Sequence, residues 1–191
     1  TVLSIFWGAT LINCFGMKIS GVVSTFGAIV GTLLPMFVII VLGGIWLTTN
    51  HATAVSFSWD NLLPKLNDAN DLAFFVAMLF GLLGMEMSAV HAEDVKNPLK
   101  NYPRALLISS IIIFFTLVGA SLAITLVIPH DKLSLVTGLS DAFHVFFTQF
   151  GLAWMEPLIT IAIIIGAICS VSAWIIGPAK GLLAAAEDGS L

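Results

Sequence analysis

The sequence predicts an all-α integral membrane protein. Of its 191 residues, 59% are hydrophobic and only 9% are charged, against roughly 25% charged in an ordinary soluble domain. The apolar residues come in long runs: 1–17, 19–59, 72–85, 105–130 and 157–179 hold no Asp, Glu, Lys or Arg. The longest of these runs far exceed a barrel strand and suit spanning helices of about 20 residues. A soluble chain of this composition would expose large apolar patches and aggregate. The same composition excludes disorder. Seven basic against 11 acidic residues give a net charge of −4, which excludes a nucleic-acid partner for lack of a basic patch. The partner implied is the lipid bilayer.

Reading with helix breakers gives five segments in a single membrane bundle over 1–191. The first is about 1–15. The second is about 28–49, after a glycine-rich stretch (Gly16, Gly21, Gly27, Gly31). The third is about 71–95, the fourth 104–128 and the fifth 153–178. Asn97-Pro98 and Tyr102-Pro103 separate the third from the fourth. Residues 50–70 are polar, contain Trp59 and Pro64, and read as an external loop with a short surface helix. The chain opens inside one apolar stretch and stops just after another, so both ends are expected to continue.

Between segments four and five lies an amphipathic piece. Leu139, Ala142, Phe143, Phe146, Phe147 and Phe150 repeat at i, i+3, i+4, i+7, i+8, with Ser140, Asp141, His144, Thr148 and Gln149 opposite. This is one apolar stripe on a helix too short to span, which should lie in the interface or cap the bundle.

Basic residues in short loops orient the segments. Loops 16–27 and 93–104, with the C-terminal end, hold Lys18, Lys96, Lys100, Arg104 and Lys180; the other side holds Lys65 and Lys132. The richer side is assigned to the cytoplasm of a cell inner membrane, so segment three runs inward.

Segment three breaks the membrane pattern. Its charge-free stretch, 72–85, is too short to cross, so the crossing must carry Glu86. Gly81 and Gly84 immediately precede that acid. Two readings stand: the glycines permit a discontinuous helix whose half-helix ends bind charged groups, or they permit close helix packing. An acid inside the membrane favours the first, because such acids usually mark function. It is also a candidate to bind and release a proton during a cycle. A structural hydrogen bond to a neighbouring helix is the plainer role for Glu86.

In segment five, small residues at 170, 172 and 173 leave room beside Trp174. That ring can wall a cavity and hold an amino group by cation–π attraction, or it can be a membrane-interface Trp, as Trp7, Trp46, Trp59 and Trp154 are read. Cys14 and Cys169 read as small buried hydrophobes. His91, Glu93 and Asp94 read as a solvated helix end, since i, i+2, i+3 does not bring them to one face for a metal. No phosphate-cradling loop, nucleophile elbow or metal signature stands in the sequence, and neither cofactor nor enzymatic activity is expected.

Phe80-Gly-Leu-Leu-Gly-Met-Glu86, Val95-Lys-Asn-Pro98 and Asn101-Tyr-Pro-Arg-Ala105 resemble the sixth helix and following loop of amino acid–polyamine–organocation transporters. Ser172-Ala-Trp-Ile-Ile-Gly-Pro-Ala-Lys180 and Ala185-Ala-Glu-Asp-Gly189 resemble that family's eighth helix and its exit. The bacterial glutamate/GABA antiporters are the most similar subgroup. The resemblance implies a five-plus-five inverted-repeat fold, of which this chain would hold the end of repeat one and the start of repeat two, from the end of helix four to helix eight. It implies an amino acid substrate. Phe80 would gate the pocket. Gly81, Leu82, Leu83 and Gly84 would form the unwound stretch at the substrate amino group, Trp174 a pocket wall, and Glu86 a coupling or pocket-shaping acid. Some relatives carry Trp where Phe80 stands. The family's first helix, which supplies half of the site, would be missing, as would helices nine onward. The alternatives are a truncated membrane module that does not transport and a channel, the latter disfavoured by a single intramembrane acid.

Overall fold

A computed structural model describes residues 2–49, 51–55, 69–81, 83–129, 132, 134 and 137–190. Among these residues every element is helical: α1 (Val2–Cys14), α2 (Met17–Ala28), a π-helical turn (Ile29–Leu33), α3 (Leu34–Thr48), α4 (Ala69–Phe80), a 3-10 segment (Met85–Asp94), α5 (Pro98–Val127), α6 (Gly138–Gln149), a short 3-10 turn (Ala153–Met155) and α7 (Glu156–Glu187). Most of the 50–70 loop lies outside the described residues.

Among the described residues, three continuous helices are long and apolar enough to cross a bilayer: Lys18–Thr48, Pro98–Val127 and Ala153–Glu187. The first has 31 residues, or about 46 Å of helix. It corrects the expected boundary at residue 28 and the expected loop at 16–27. The turn from α1 is confined to Phe15 and Gly16, with Gly16 at φ 98° and its N–H donating to the Asn13 carbonyl at 3.1 Å. The glycines did not end the helix, because backbone polar groups in lipid must be satisfied within the helix itself.

Two of those glycines, Gly27 and Gly31, are instead the contact with α7. A β-carbon on Gly31 would collide with the backbone of Gly166, and one on Gly27 with Cys169. Small residues let helices approach this closely. At the crossing the helix widens into the π turn, where the Leu34 N–H reaches the Ile29 carbonyl.

α5 starts at Pro98, six residues before the expected start. Proline suits a first turn, where its missing N–H costs nothing. Pro103 lies further in, but the carbonyl it cannot bond belongs to Leu99, which is 96% exposed. α7 passes through Pro178 and continues to Glu187, beyond the expected end at 178.

The amphipathic piece is α6, and it caps the bundle. Ala142, Phe143, Phe146 and Phe147 are buried, packed with Ile39, Leu42 and Trp46 of α3, Ala123 and Leu126 of α5, and Ile159 of α7. The polar residues of its other face are exposed. Trp46 is a correction: it meets Phe146 edge-on at 5.5 Å and donates to the Ala52 carbonyl at 3.2 Å, so it belongs to the cap and not to a lipid-facing belt. Trp7 and Trp154 are exposed. Cys169 is buried, whereas Cys14 is exposed, contrary to expectation.

Candidate functional site

Segment three is discontinuous. α4 ends at Phe80, where the Gly81 N–H still reaches the Ala77 carbonyl at 3.1 Å. Gly84 then takes φ 111°, ψ −15°, a left-handed conformation that costs a residue with a β-carbon about 1–2 kcal/mol. From Met85 the chain re-enters a 3-10 helix, with the Met87 N–H donating to the Gly84 carbonyl at 3.2 Å. The helix is interrupted between Phe80 and Met85, the reading that Glu86 favoured over close packing at the glycines.

Two side chains finish the break. The Glu86 carboxylate turns back and accepts the Gly84 N–H at 2.8 Å, setting a negative group at the positive end of the second half-helix. The Trp174 indole lies against Gly84: a β-carbon there would sit 3.5 Å from Cζ2. Trp174 is otherwise about half exposed, as are Phe80 and Leu83. The structure therefore joins Gly84, Glu86 and Trp174. Phe80, Gly81, Leu83 and Glu86 are exposed, and Leu82 lies outside the described residues.

Of the small residues expected to leave room beside Trp174, Ser170 lies four residues earlier on the same helix face, whereas Ser172 does not. Ser172 is two residues away, which is about 200° around the helix, and it is 1% exposed. Gly84, across the interface, adds space by lacking a side chain. Pro178 has no N–H to offer the Trp174 carbonyl four residues earlier.

The 3-10 segment is flanked by a cleft on each side. One, of about 410 Å³, lies against α5 and includes Gly81, Gly84, Ser88, His91, Tyr102 and Ser109. The other, of about 440 Å³, lies against α2 and α7 and includes Ser20, Ser24, Thr25, Ser88, His91 and Gly177. Ser88 holds the segment to α5 through a 3.0 Å hydrogen bond with the Tyr102 hydroxyl. Met87 packs on Gly177 of α7, and His91 Nδ1 lies 3.5 Å from Lys180 Nζ. The expected solvated end at His91 is thus half-buried between α5 and α7. The side chains of Glu93 and Asp94 lie outside the described residues, and no cluster of three metal-ligating side chains stands among the described ones.

Sequence reasoning missed a buried polar network. Asn13 Oδ1 accepts hydrogen bonds from Ser20 Oγ at 2.8 Å and Ser172 Oγ at 2.7 Å, while Asn13 Nδ2 donates to the Ser172 carbonyl at 3.0 Å. The available signal was Asn13 itself, an amide inside an apolar run.

A model of the amino acid permease family matches residues 1–191. The chain belongs to the amino acid permease family. It is 53% identical over 193 residues to an uncharacterized transporter of Legionella pneumophila, covering all of this chain and 41% of that protein. It is 28% identical over 192 residues to a glutamate/gamma-aminobutyrate antiporter of Lactococcus lactis, covering all of this chain and 38% of the relative. A probable agmatine/putrescine antiporter of Lactococcus lactis is 28% identical over 164 residues, covering 84% of this chain and 34% of the relative. The chain thus spans about two-fifths of the length of the relatives it matches. These relatives are named as transporters and antiporters. The chain is an all-α membrane protein of the amino acid–polyamine–organocation superfamily, and the two Lactococcus relatives are named for amino acids or amines.

Proposed function

We propose that this chain is the central part of an amino acid antiporter of the glutamate/GABA-exchanging type. It forms a single bundle within a five-plus-five inverted-repeat fold. Substrate sits at the unwound stretch of Phe80, Gly81, Leu82, Leu83 and Gly84, with Trp174 as a wall and Glu86 as the coupling acid. The observation that carries this is the break itself. Irregular backbone at membrane depth is tolerated only beside a cavity or buried in protein, and half-helix ends are suited to charged ligands.

The chemistry favours a ligand with an ammonium group. The carboxylate of Glu86 accepts the Gly84 N–H, so an anionic group already holds the positive half-helix end. Trp174 offers the face of its ring to a cation. Glutamate, GABA, agmatine and putrescine share an amino group, which is the feature this arrangement recognises. The substrate carboxylate is left to the part of the transporter outside this chain.

The basic turn and loop ends (Lys18, Lys96, Lys100, Arg104, Lys180) face the cytoplasm in this reading. The deciding experiment is exchange in proteoliposomes by the complete transporter, loaded with GABA and supplied with labelled glutamate. Counterflow is expected. Exchange of arginine-derived amines with no glutamate uptake would replace the substrate assignment. Glutamate uptake by the 191-residue chain alone would contradict its role as a part.

A further inference from the structure

The Asn13–Ser20–Ser172 network does work that no resemblance assigns to it. Three helices meet there: α1 brings Asn13, α2 brings Ser20 and α7 brings Ser172. Both hydroxyls sit on residues only 1% exposed, so each needs a partner inside the protein. One amide serves both. Its oxygen takes the two hydroxyls and its nitrogen takes the Ser172 carbonyl. The reverse orientation of the amide would set its oxygen against that carbonyl oxygen, so the network admits one arrangement.

The grip on Ser172 is double, through side chain and backbone. Two points held on one residue resist rotation of α7 about its own axis. Ile159, Ala162, Gly166, Cys169 and Ser172 form the buried stripe of that helix. Trp174 lies about 200° from Ser172, so it leaves the helix on the far side and meets Gly84. Turning α7 by a fraction of a residue would move the indole along the break.

We infer that Asn13 is a positioning residue for Trp174: by holding the hydroxyl and carbonyl of Ser172 it sets the rotation of α7 and aims the indole at the unwound stretch. This rests on the proposed placement of substrate between Trp174 and the break.

The test is a double-mutant cycle in the complete transporter, reading KM and maximal rate for labelled glutamate in proteoliposomes. Asn13→Ala is expected to raise KM about fivefold, the scale of one lost internal hydrogen bond, with a smaller change in maximal rate. In a Trp174→Phe background the same substitution should add little. Effects that multiply, or a folded Asn13→Ala variant with the parental KM, would overturn the inference. Ser172→Ala, which keeps the bond from Asn13 to the carbonyl, runs the same cycle if Asn13→Ala does not fold, with a weaker effect of the same pattern expected and independent effects again decisive against it. A Trp174→Phe variant with unchanged KM would instead strike the proposed site, and the inference would fall with it.

Discussion

Trp174 packs its indole edge on Gly84, a residue that has no side chain and sits in a left-handed conformation. The two residues are 90 positions apart in sequence, yet each explains the other. The glycine lets the chain leave the helix, and it also leaves a flat surface on which the ring rests. The unwound stretch therefore has a rigid aromatic against its Gly84 end.

Gly84→Ala should be damaging through the backbone and not through crowding. The new β-carbon would meet Trp174 at 3.5 Å, an ordinary contact. The left-handed φ of 111° would cost about 1–2 kcal/mol. The expected outcome is a KM raised roughly 5- to 30-fold with expression retained. Parental kinetics would mean that the break tolerates a helical residue.

Trp174→Phe should weaken substrate binding, because a smaller ring holds an ammonium group less strongly. A cation–π contact of about 0.5–2 kcal/mol converts to a KM increase of about 2- to 30-fold. Trp174→Leu should lose more, as it removes the ring altogether. Equal effects of both would mean that the residue serves packing only.

Glu86→Gln separates charge from geometry. The amide oxygen can still accept the Gly84 N–H, so the break should survive. Slower counterflow is expected, with the folded protein retained. Parental exchange kinetics would remove the charge of Glu86 from the transport cycle.

Tyr102→Phe should loosen the second half-helix from α5 by removing the partner of Ser88. The expected cost is about 0.5–1.5 kcal/mol. Hydrogen exchange over residues 85–94 should speed up by about 2- to 10-fold, while α6 stays protected.

Gly166→Val should disrupt the α2–α7 crossing, because any β-carbon there runs into Gly31 backbone. A loss of about 1–3 kcal/mol or more is expected, read as a lower melting temperature in detergent. Gly44→Ala is the contrast. Nothing lies within 4 Å of that β-carbon, and the substitution should be neutral or stabilising by up to about 1 kcal/mol.

The membrane class, the helical character, the capping stripe of α6 and the break at 81–84 were all legible in the residues themselves. Each is a local property: hydropathy over a window, a 3.6-residue period, or glycines beside an acid where the apolar run is too short. Helix ends were less legible. Gly21, Gly27 and Pro178 looked like boundaries, but lipid penalises an unpaired peptide more than it penalises a glycine or proline within a helix. Which faces meet was decided only in three dimensions. Asn13 finds Ser172 159 positions away, Gly31 finds Gly166, and Trp46 lies under α6. Such pairings depend on how the helices rotate and cross, and no periodicity within one helix encodes the rotation of its neighbour.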